Sequence, residues 1–512
     1  MLASTSAVPA RAALDSAGMR QLPSTRGNIQ MQCLSAVGVF VTTVLVLAAA
    51  VPASLRYGYP ALAFLAAIFL FTRSRTFYIG FVFWLWFLSP FLRRVVDYRA
   101  GFVPVNPLLL ASFLATGVSG YVLLTRIRSL SRPAALPFAC ALAGIFFGAG
   151  VGLTRYPAMT VAQAVLNWIV PVLFAFFLYE EREHYRAFQS VIERSLLYGG
   201  LLVGAYGVYQ FFFLPAWDRQ WMIDVDARTF GVPEALQIRV FSTLNAPATC
   251  AVYLMAGLLM LFALKGRVRI VAAAVAFLAF VLTSSRSSWI GLIAGVAYLA
   301  MQLPSRARFR LIAGILSCAV LAGTASELPV IHEVVAARLE SFTDPKKDVS
   351  YNERLDGHVA AFQTILDEPM GEGMGSVDTD HATTGGDASI GPHDSAILES
   401  LYALGLPGSL IYFFGIAAGG MRMMRLSRRR TEGPASEAFA ISMRAIGVAL
   451  FVQLVLNSIF VGPFGFLAWT AIGMTLAAGE LSARPQGNNP KLSSAVLSST
   501  GASPALRVVV RL

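Results

Sequence analysis

His393-Asp-Ser-Ala-Ile-Leu-Glu-Ser-Leu-Tyr-Ala-Leu-Gly405-Leu-Pro-Gly408 reads as the start of an amphipathic helix that breaks at its glycine–proline step and resumes as an apolar span. Ahead of it stands Gly371-Glu-Gly-Met-Gly375, followed by a polar loop that feeds the histidine into the first turn. A helix N-terminus presents free N–H groups and a partial positive charge. A histidine delivered there is pushed toward its neutral form, and a neutral imidazole can accept a proton at a membrane surface.

The rest of the chain supplies the membrane. Of its 512 residues, 56% are apolar and 13% charged, where soluble domains carry roughly 25% charged residues. Apolar runs of about 15–25 residues recur throughout, which defines an all-α polytopic membrane protein. The first run begins at Leu34. Further spans are predicted near 57–71, 76–92, 105–124, 136–153, 159–179, 195–214, 245–264, 269–284, 288–303, 309–326, 394–419, 440–458 and 462–479. The expectation is therefore about 12–14 transmembrane helices. Residues 1–30 are rich in Ser, Pro and Arg and read as a disordered cytoplasmic leader; 31–326 carry the first set of spans, 394–480 the last, and 481–512 a disordered polar tail. Cys33, Cys140, Cys250 and Cys318 all fall in or beside apolar runs, so they read as small core residues and suggest neither disulfides nor a metal site.

The net charge of +12 is mostly loop arginine, which on a membrane protein sets orientation and does not imply nucleic acid. Every second loop is basic: Arg73/Arg75, Arg126/Arg128/Arg132, Lys265/Arg267/Arg269, Arg306/Arg308/Arg310, and Arg422/Arg425/Arg428/Arg429/Arg430. With these inside, both termini are cytoplasmic and two outward loops are long, one near 214–244 and one at 327–393. The second is acidic and patterned for short amphipathic helices. Val330, Val334, Val335, Leu339 and Phe342 share one helical face, and Ser350-Tyr-Asn-Glu353 is a capping box opening a helix whose stripe is Leu355, Val359, Phe362 and Leu366. Asp378-Thr-Asp380-His381 reads as a solvated acidic pair.

Outward-facing arginines break the usual asymmetry. Arg286 sits in the short turn Thr283-Ser-Ser-Arg-Ser-Ser288, Arg239 ends the first long loop just before the chain re-enters the membrane, and Arg338 and Arg354 belong to the second. Arginine keeps its charge and offers a rigid fork suited to phosphate. Together these four form a candidate seat for a lipid-linked diphosphate.

Four pieces, in order, resemble the O-antigen ligase and polymerase superfamily of membrane glycosyltransferases: Arg239-Val-Phe-Ser-Thr-Leu-Asn-Ala-Pro247; Thr283-Ser-Ser-Arg286-Ser-Ser-Trp289; Asn352-Glu-Arg354 ahead of Pro369-Met-Gly-Glu-Gly-Met-Gly375; and His393-Asp followed by Leu401-Tyr-Ala-Leu-Gly-Leu-Pro-Gly408. The resemblance covers about Arg239 to Leu410. It departs at Asp394, where many ligases have asparagine. It implies inverting, metal-independent and cofactor-free sugar transfer from a polyprenyl-diphosphate-linked oligosaccharide, on the periplasmic side of the bacterial inner membrane. His393 is then the base that deprotonates the acceptor hydroxyl, and Arg286, Arg354, Arg338 and Arg239 are the diphosphate ligands. The partners implied are membrane lipid, a chain-length regulator and export proteins. The reading leans toward a polymerase of surface or exopolysaccharide, with a ligase acting on lipid A-core as the alternative. A flippase is the rival of another class. Coupled transporters keep ionisable groups within their spans, whereas here Glu399, near a boundary, is the main exception.

Overall fold

The computed structural model describes residues 25–226, 228–303, 305–306, 308–309, 313–314, 363, 367–376, 395–426 and 434–483. Among them the regular structure is helical, apart from one isolated antiparallel bridge between Gly231 and Ile238. The longer elements are α1 (Thr25–Ala50), α2 (Leu55–Arg73), α3 (Arg75–Ala100), α4 (Leu110–Gly117), α5 (Gly120–Thr125), α6 (Leu136–Leu153), α7 (Ala158–Glu180), α8 (Tyr185–Phe213), α9 (Ala216–Val225), α10 (Pro247–Met260), α11 (Val268–Leu282), α12 (Arg286–Gln302), α13 (Ala396–Leu426), α14 (Pro434–Phe451) and α15 (Gly462–Ala483). In hydrocarbon, backbone polar groups must be satisfied within the segment, and only helices can do this along an open chain.

Nine helical stretches among the described residues are long and apolar enough to cross a membrane. They are α1, α2, α3, the α4–α5 pair, α6, α7, α8, α13 and α15, each with short flanking turns where these continue it. The protein is thus an all-α multi-pass membrane protein. Helices α10 and α11 are apolar but shorter, and α12 and α14 occupy two further predicted spans. The run at 309–326 falls almost entirely outside the described residues, as does most of the loop at 327–393.

Three boundaries differ from the hydropathy pattern, each for a local reason. The run at 105–124 is two short helices, because the chain turns at Val118-Ser119 and the Ser119 hydroxyl donates to the Thr116 carbonyl at 2.7 Å. Helix α8 begins at Tyr185, ten residues before the apolar run, since its first turns are amphipathic and average out as polar. Helix α14 stops at Phe451, and 452–461 runs on as turns whose Gln453 and Asn457 matter for the site below.

One face of the bundle collects the arginine-rich connections. Arg126 pairs with Glu181 at 3.0 Å, Arg422 with Glu480 at 3.0 Å, and the Ser436 hydroxyl donates to Gln189 at 3.0 Å. This is called the proximal face. The distal face holds the ends of α3 and α6 and the starts of α12 and α13.

A stripe of small residues on α6 sets how α13 is placed. Gly144, Gly148 and Gly152 recur every fourth position and let the backbones meet, the small-residue packing that membrane helices use for close approach. A Cβ on Gly144 would lie 2.7 Å from the Gly408 carbonyl and 3.1 Å from Tyr412 Cβ. Opposite this stripe α13 is kinked at Gly405, whose φ of 64° and ψ of 174° are closed to residues with a side chain. Gly144→Ala should therefore lower the melting temperature of the detergent-solubilised protein, by the equivalent of about 1–3 kcal/mol of overpacking. Gly150→Ala, on the same helix with nothing within 4 Å of the new Cβ, should leave it unchanged. Equal melting temperatures for the two variants would contradict the packing described.

Candidate functional site

The distal end is built first around the segment 239–247, the last part of the connection from α9 to α10. Its Val240 amide donates to the Leu282 carbonyl at 3.0 Å, tying it to the end of α11. Arg239 is half-buried and donates from Nε to the Thr283 carbonyl at 3.1 Å, from Nη1 to Thr229 at 3.0 Å and from Nη2 to Ser284 at 3.3 Å. Ser242 and Ser284 both have a φ of 51°, a left-handed conformation that a non-glycine residue keeps only when its surroundings enforce it, at a cost of about 1–3 kcal/mol each.

At Ser242 the enforcement comes from a buried ionic cluster. Arg94, on the last turns of α3, donates to the Ser242 and Leu244 carbonyls, and its Nε lies 2.9 Å from Asp218 Oδ1 with both side chains fully buried. Asp218, on α9, also accepts from Gln210 at 2.7 Å and from Tyr206 at 2.8 Å. Burial holds the Asp218 carboxyl above the usual carboxylate range, while Arg94, Gln210 and Tyr206 pull it down. Gln210 is oriented so that its Oε1 accepts from the Phe241 and Ser242 amides, at 3.1 and 2.8 Å. Arg94 and Gln210 thus hold the loop directly, and Asp218 holds both of them. Sequence reasoning missed Arg94, Gln210 and Asp218. The available signal was a charged Arg93-Arg94 pair closing an apolar run, on the side where arginine is scarce.

Arg286 opens α12 and is half-buried. Around it the turn is all hydroxyl: Ser285 Oγ lies 3.1 Å from Ser288 Oγ, which donates to Gln453 Oε1 at 3.3 Å. Asn457 closes the cluster, its Nδ2 donating to Ser287 Oγ and to Gln453 Oε1, each at 2.9 Å. The first amide of α13, Ala396, donates to the Leu454 and Asn457 carbonyls at 3.0 and 3.1 Å. One residue, Asn457, therefore touches both the turn that carries Arg286 and the start of α13.

The third element is the segment 367–376. Glu372 and Gly373 amides donate to the Tyr402 carbonyl at 3.0 and 3.2 Å, Met374 donates to Gly148 at 3.0 Å, and Leu406 donates back to Pro369 at 2.8 Å. Gly371, Gly373 and Gly375 all have positive φ, and a Cβ on Gly371 would meet Gly405 Cα at 2.6 Å. Their role is to let this segment lie flat on α6 and in the kink of α13. Two polar contacts add to the seal: Tyr156 donates to Glu372 at 2.9 Å, and Arg155 pairs with Glu368 at 2.6 Å. Burial and the Glu372 hydrogen bond both raise the Tyr156 phenol above its usual range.

Of the sequence-predicted site residues, the structure brings Arg239 and the Arg286 turn together through Thr283 and Ser284. His393, Arg338 and Arg354 lie outside the described residues, as do Asp378, Asp380 and His381. Arg239 uses at least three of its five N–H donors on backbone carbonyls, so its observed work is to hold two strained loops in register. Among the described residues no group of three His, Cys, Asp or Glu side chains could hold a metal ion.

The class these features define is a multi-pass helical membrane protein whose strained, arginine-braced loops gather at one end of the bundle. Residues 270–413 match the family model described as O-antigen ligase, so this stretch of the chain is similar to that family. That family consists of glycosyltransferase-like enzymes acting on lipid-linked oligosaccharides in the membrane. The matched stretch includes the Arg286 turn and the α13 kink and leaves Arg94, Asp218 and Arg239 outside it. No curated protein matches the chain.

The ionic cluster makes a testable demand. Arg94→Ala leaves Asp218 buried without its cation, and breaking a pair of this kind costs about 3–5 kcal/mol. The melting temperature of the solubilised variant should fall sharply, and adding Asp218→Asn in the same chain should recover part of the loss. A double variant no more stable than Arg94→Ala would show that the pair is not the reason.

Proposed function

We propose that this chain is a glycosyltransferase of the bacterial inner membrane that polymerises polyprenyl-diphosphate-linked oligosaccharide repeat units into a surface or exopolysaccharide, with its site on the periplasmic side. The observation that carries the reading is the sharing of Asn457. The turn bearing Arg286 and the start of α13, three residues after His393 in the sequence, both hydrogen-bond to Asn457, the first to its side chain and the second to its carbonyl. A cation for the leaving group and a base for the acceptor are the two groups that such a transfer needs. Diphosphate is already a good leaving group, so positioning and positive charge account for most of the catalysis.

In the proposed step the acceptor hydroxyl attacks the anomeric carbon on the face opposite the diphosphate. The new C–O bond forms as the old C–O bond to phosphate breaks, which inverts the centre. The hydroxyl proton passes to the His393 imidazole, and the electron pair leaves with the diphosphate, stabilised by Arg286 with Arg354 and Arg338. Arg239 stands one shell further out, bracing the Thr283–Ser284 carbonyls. The step needs no metal or cofactor. A second reading, transfer of finished glycan to lipid A-core, is favoured by the description of the matching family as a ligase; Asp394 speaks for the polymerase.

His393→Ala should abolish polymer formation while membrane insertion stays intact, since losing a general base costs about 10²–10⁴-fold. Polymer from that variant at the wild-type level would remove His393 as the base. Arg286→Lys keeps the charge and loses the planar fork, so turnover should fall about tenfold or more, and an unchanged rate would count against a diphosphate seat there. Glycans from a deletion strain separate the two readings: accumulated single repeats support the polymerase, and free polymer never joined to its anchor supports the ligase.

A further inference from the structure

Of the nine spans among the described residues, α1 is the least covered: 11% of its apolar window is buried, against 39% in α2. It packs along α2 and the short turn that joins them. The two helices run antiparallel. At one end Arg99, near the close of α3, donates to the Ala48 carbonyl at 3.1 Å, and Arg56, at the start of α2, donates to Ala100 at 3.1 Å. That end is the distal one, where α3 finishes, so Thr25 of α1 and Arg73 of α2 stand at the proximal face.

Between them runs an open groove of about 550 Å³, lined by α1 from Met31 to Thr43 and by α2 from Leu62 to Phe69. Phe40 closes its inner side, its ring 5.7 Å from Tyr59 and 5.1 Å from Phe81. Met31 to Thr43 covers about 18 Å of helix axis at ~1.5 Å per residue, close to one leaflet of a hydrocarbon core ~30 Å thick. The proximal mouth of the groove carries a cation. Arg73 is exposed and holds its guanidinium 5.8 Å from the centre of the Phe69 ring, which lines the groove. Among the described residues no acidic side chain pairs with Arg73. Gln32 lines the same end and brings amide N–H donors to it.

We propose that the α1–α2 groove binds one anionic phospholipid of the proximal leaflet, with an acyl chain along the Met31–Thr43 side and the headgroup phosphate against Arg73. The two parts of the site do different work. An apolar groove takes the chain of any lipid, so the choice of headgroup falls to the guanidinium, which has no carboxylate of its own. One arginine at a membrane surface favours an anionic headgroup by about fivefold in affinity. A zwitterionic headgroup carries its own cation, which competes for the same phosphate. The bound lipid covers the side of α1 that no other helix covers. The site lies at the opposite face from the transfer site and does not depend on the transferase reading.

The test is native mass spectrometry of the full-length protein in detergent, titrated with palmitoyl-oleoyl phosphatidylglycerol, with phosphatidylcholine of the same chains, or with glycerol phosphate alone. The wild-type protein should retain one phosphatidylglycerol about fivefold more tightly than phosphatidylcholine, and glycerol phosphate should not compete. Arg73→Gln should bring phosphatidylglycerol down to the level of phosphatidylcholine. Arg128→Gln removes the same charge from another exposed position on the proximal face and should change nothing. Val39→Trp, at an exposed position in the groove wall, should weaken both lipids alike; should it fail to fold, Leu65→Trp on the facing wall replaces it. The proposal is overturned if the wild-type protein does not prefer phosphatidylglycerol, if Arg128→Gln loses as much as Arg73→Gln, or if filling the groove leaves binding intact. Competition by glycerol phosphate would make Arg73 a simple anion seat, and a dimer that sheds lipid would assign the groove to a second copy of the chain; either result overturns it too.

Discussion

A guanidinium that cannot reach water organises the distal end of this protein. Arg94 is fully buried, and its charge is met by Asp218 at 2.9 Å and by the carbonyls of Ser242 and Leu244. A buried pair of this kind contributes little net stability, but removing one partner is expensive, so it acts as a constraint on geometry. The 239–247 loop is held where those carbonyls must be, Ser242 is held in a left-handed conformation, and Arg239 is thereby aimed at the end of α11. From there the constraint passes to Ser284, to the Arg286 turn, and through Asn457 to the start of α13.

A second constraint arrives from the other side of the site. The glycine stripe of α6 brings α13 and the segment 367–376 into backbone contact, and the kink at Gly405 exists because Met370 and Gly371 occupy the space a straight, side-chain-bearing helix would fill. The two systems are independent in sequence and both act on α13, one bonding the Ala396 amide at its start and the other packing against Tyr402 to Gly408. Ion pairing fixes one flank of α13 and steric closeness the other. Stored backbone strain at Ser242 and Ser284 is the expected signature of such an arrangement.

Much of this was legible in the chain. Hydropathy gave the helices, because in a bilayer length and apolarity are nearly the whole determinant, and the alternating arginines matched a face on which Arg126 and Arg422 form their ion pairs. The glycine and proline punctuation at 371–375 and 405–408 was visible, though not that these glycines serve backbone contact with Gly148, Gly152 and Tyr402. What sequence could not give was partnership across distance. Arg94 and Asp218 are separated by more than a hundred residues, and neither periodicity nor a motif links them. Arg239 looked like a phosphate ligand by residue type and position; only coordinates reveal that carbonyls take up its fork. Asn457 and Ser458 sat in what hydropathy counted as a span, so their turn went unseen.

The central claim is that the diphosphate of a lipid-linked glycan is gripped beside the Asn457 brace. A cryo-EM reconstruction of the protein in nanodiscs with a non-transferable polyprenyl-diphosphate glycan tests it most directly. Diphosphate density within about 3 Å of the Arg286 guanidinium, on the face where α13 begins, is the predicted result. Density instead among Arg126 and Arg132 on the proximal face, with the Arg286 turn unoccupied, would contradict the account.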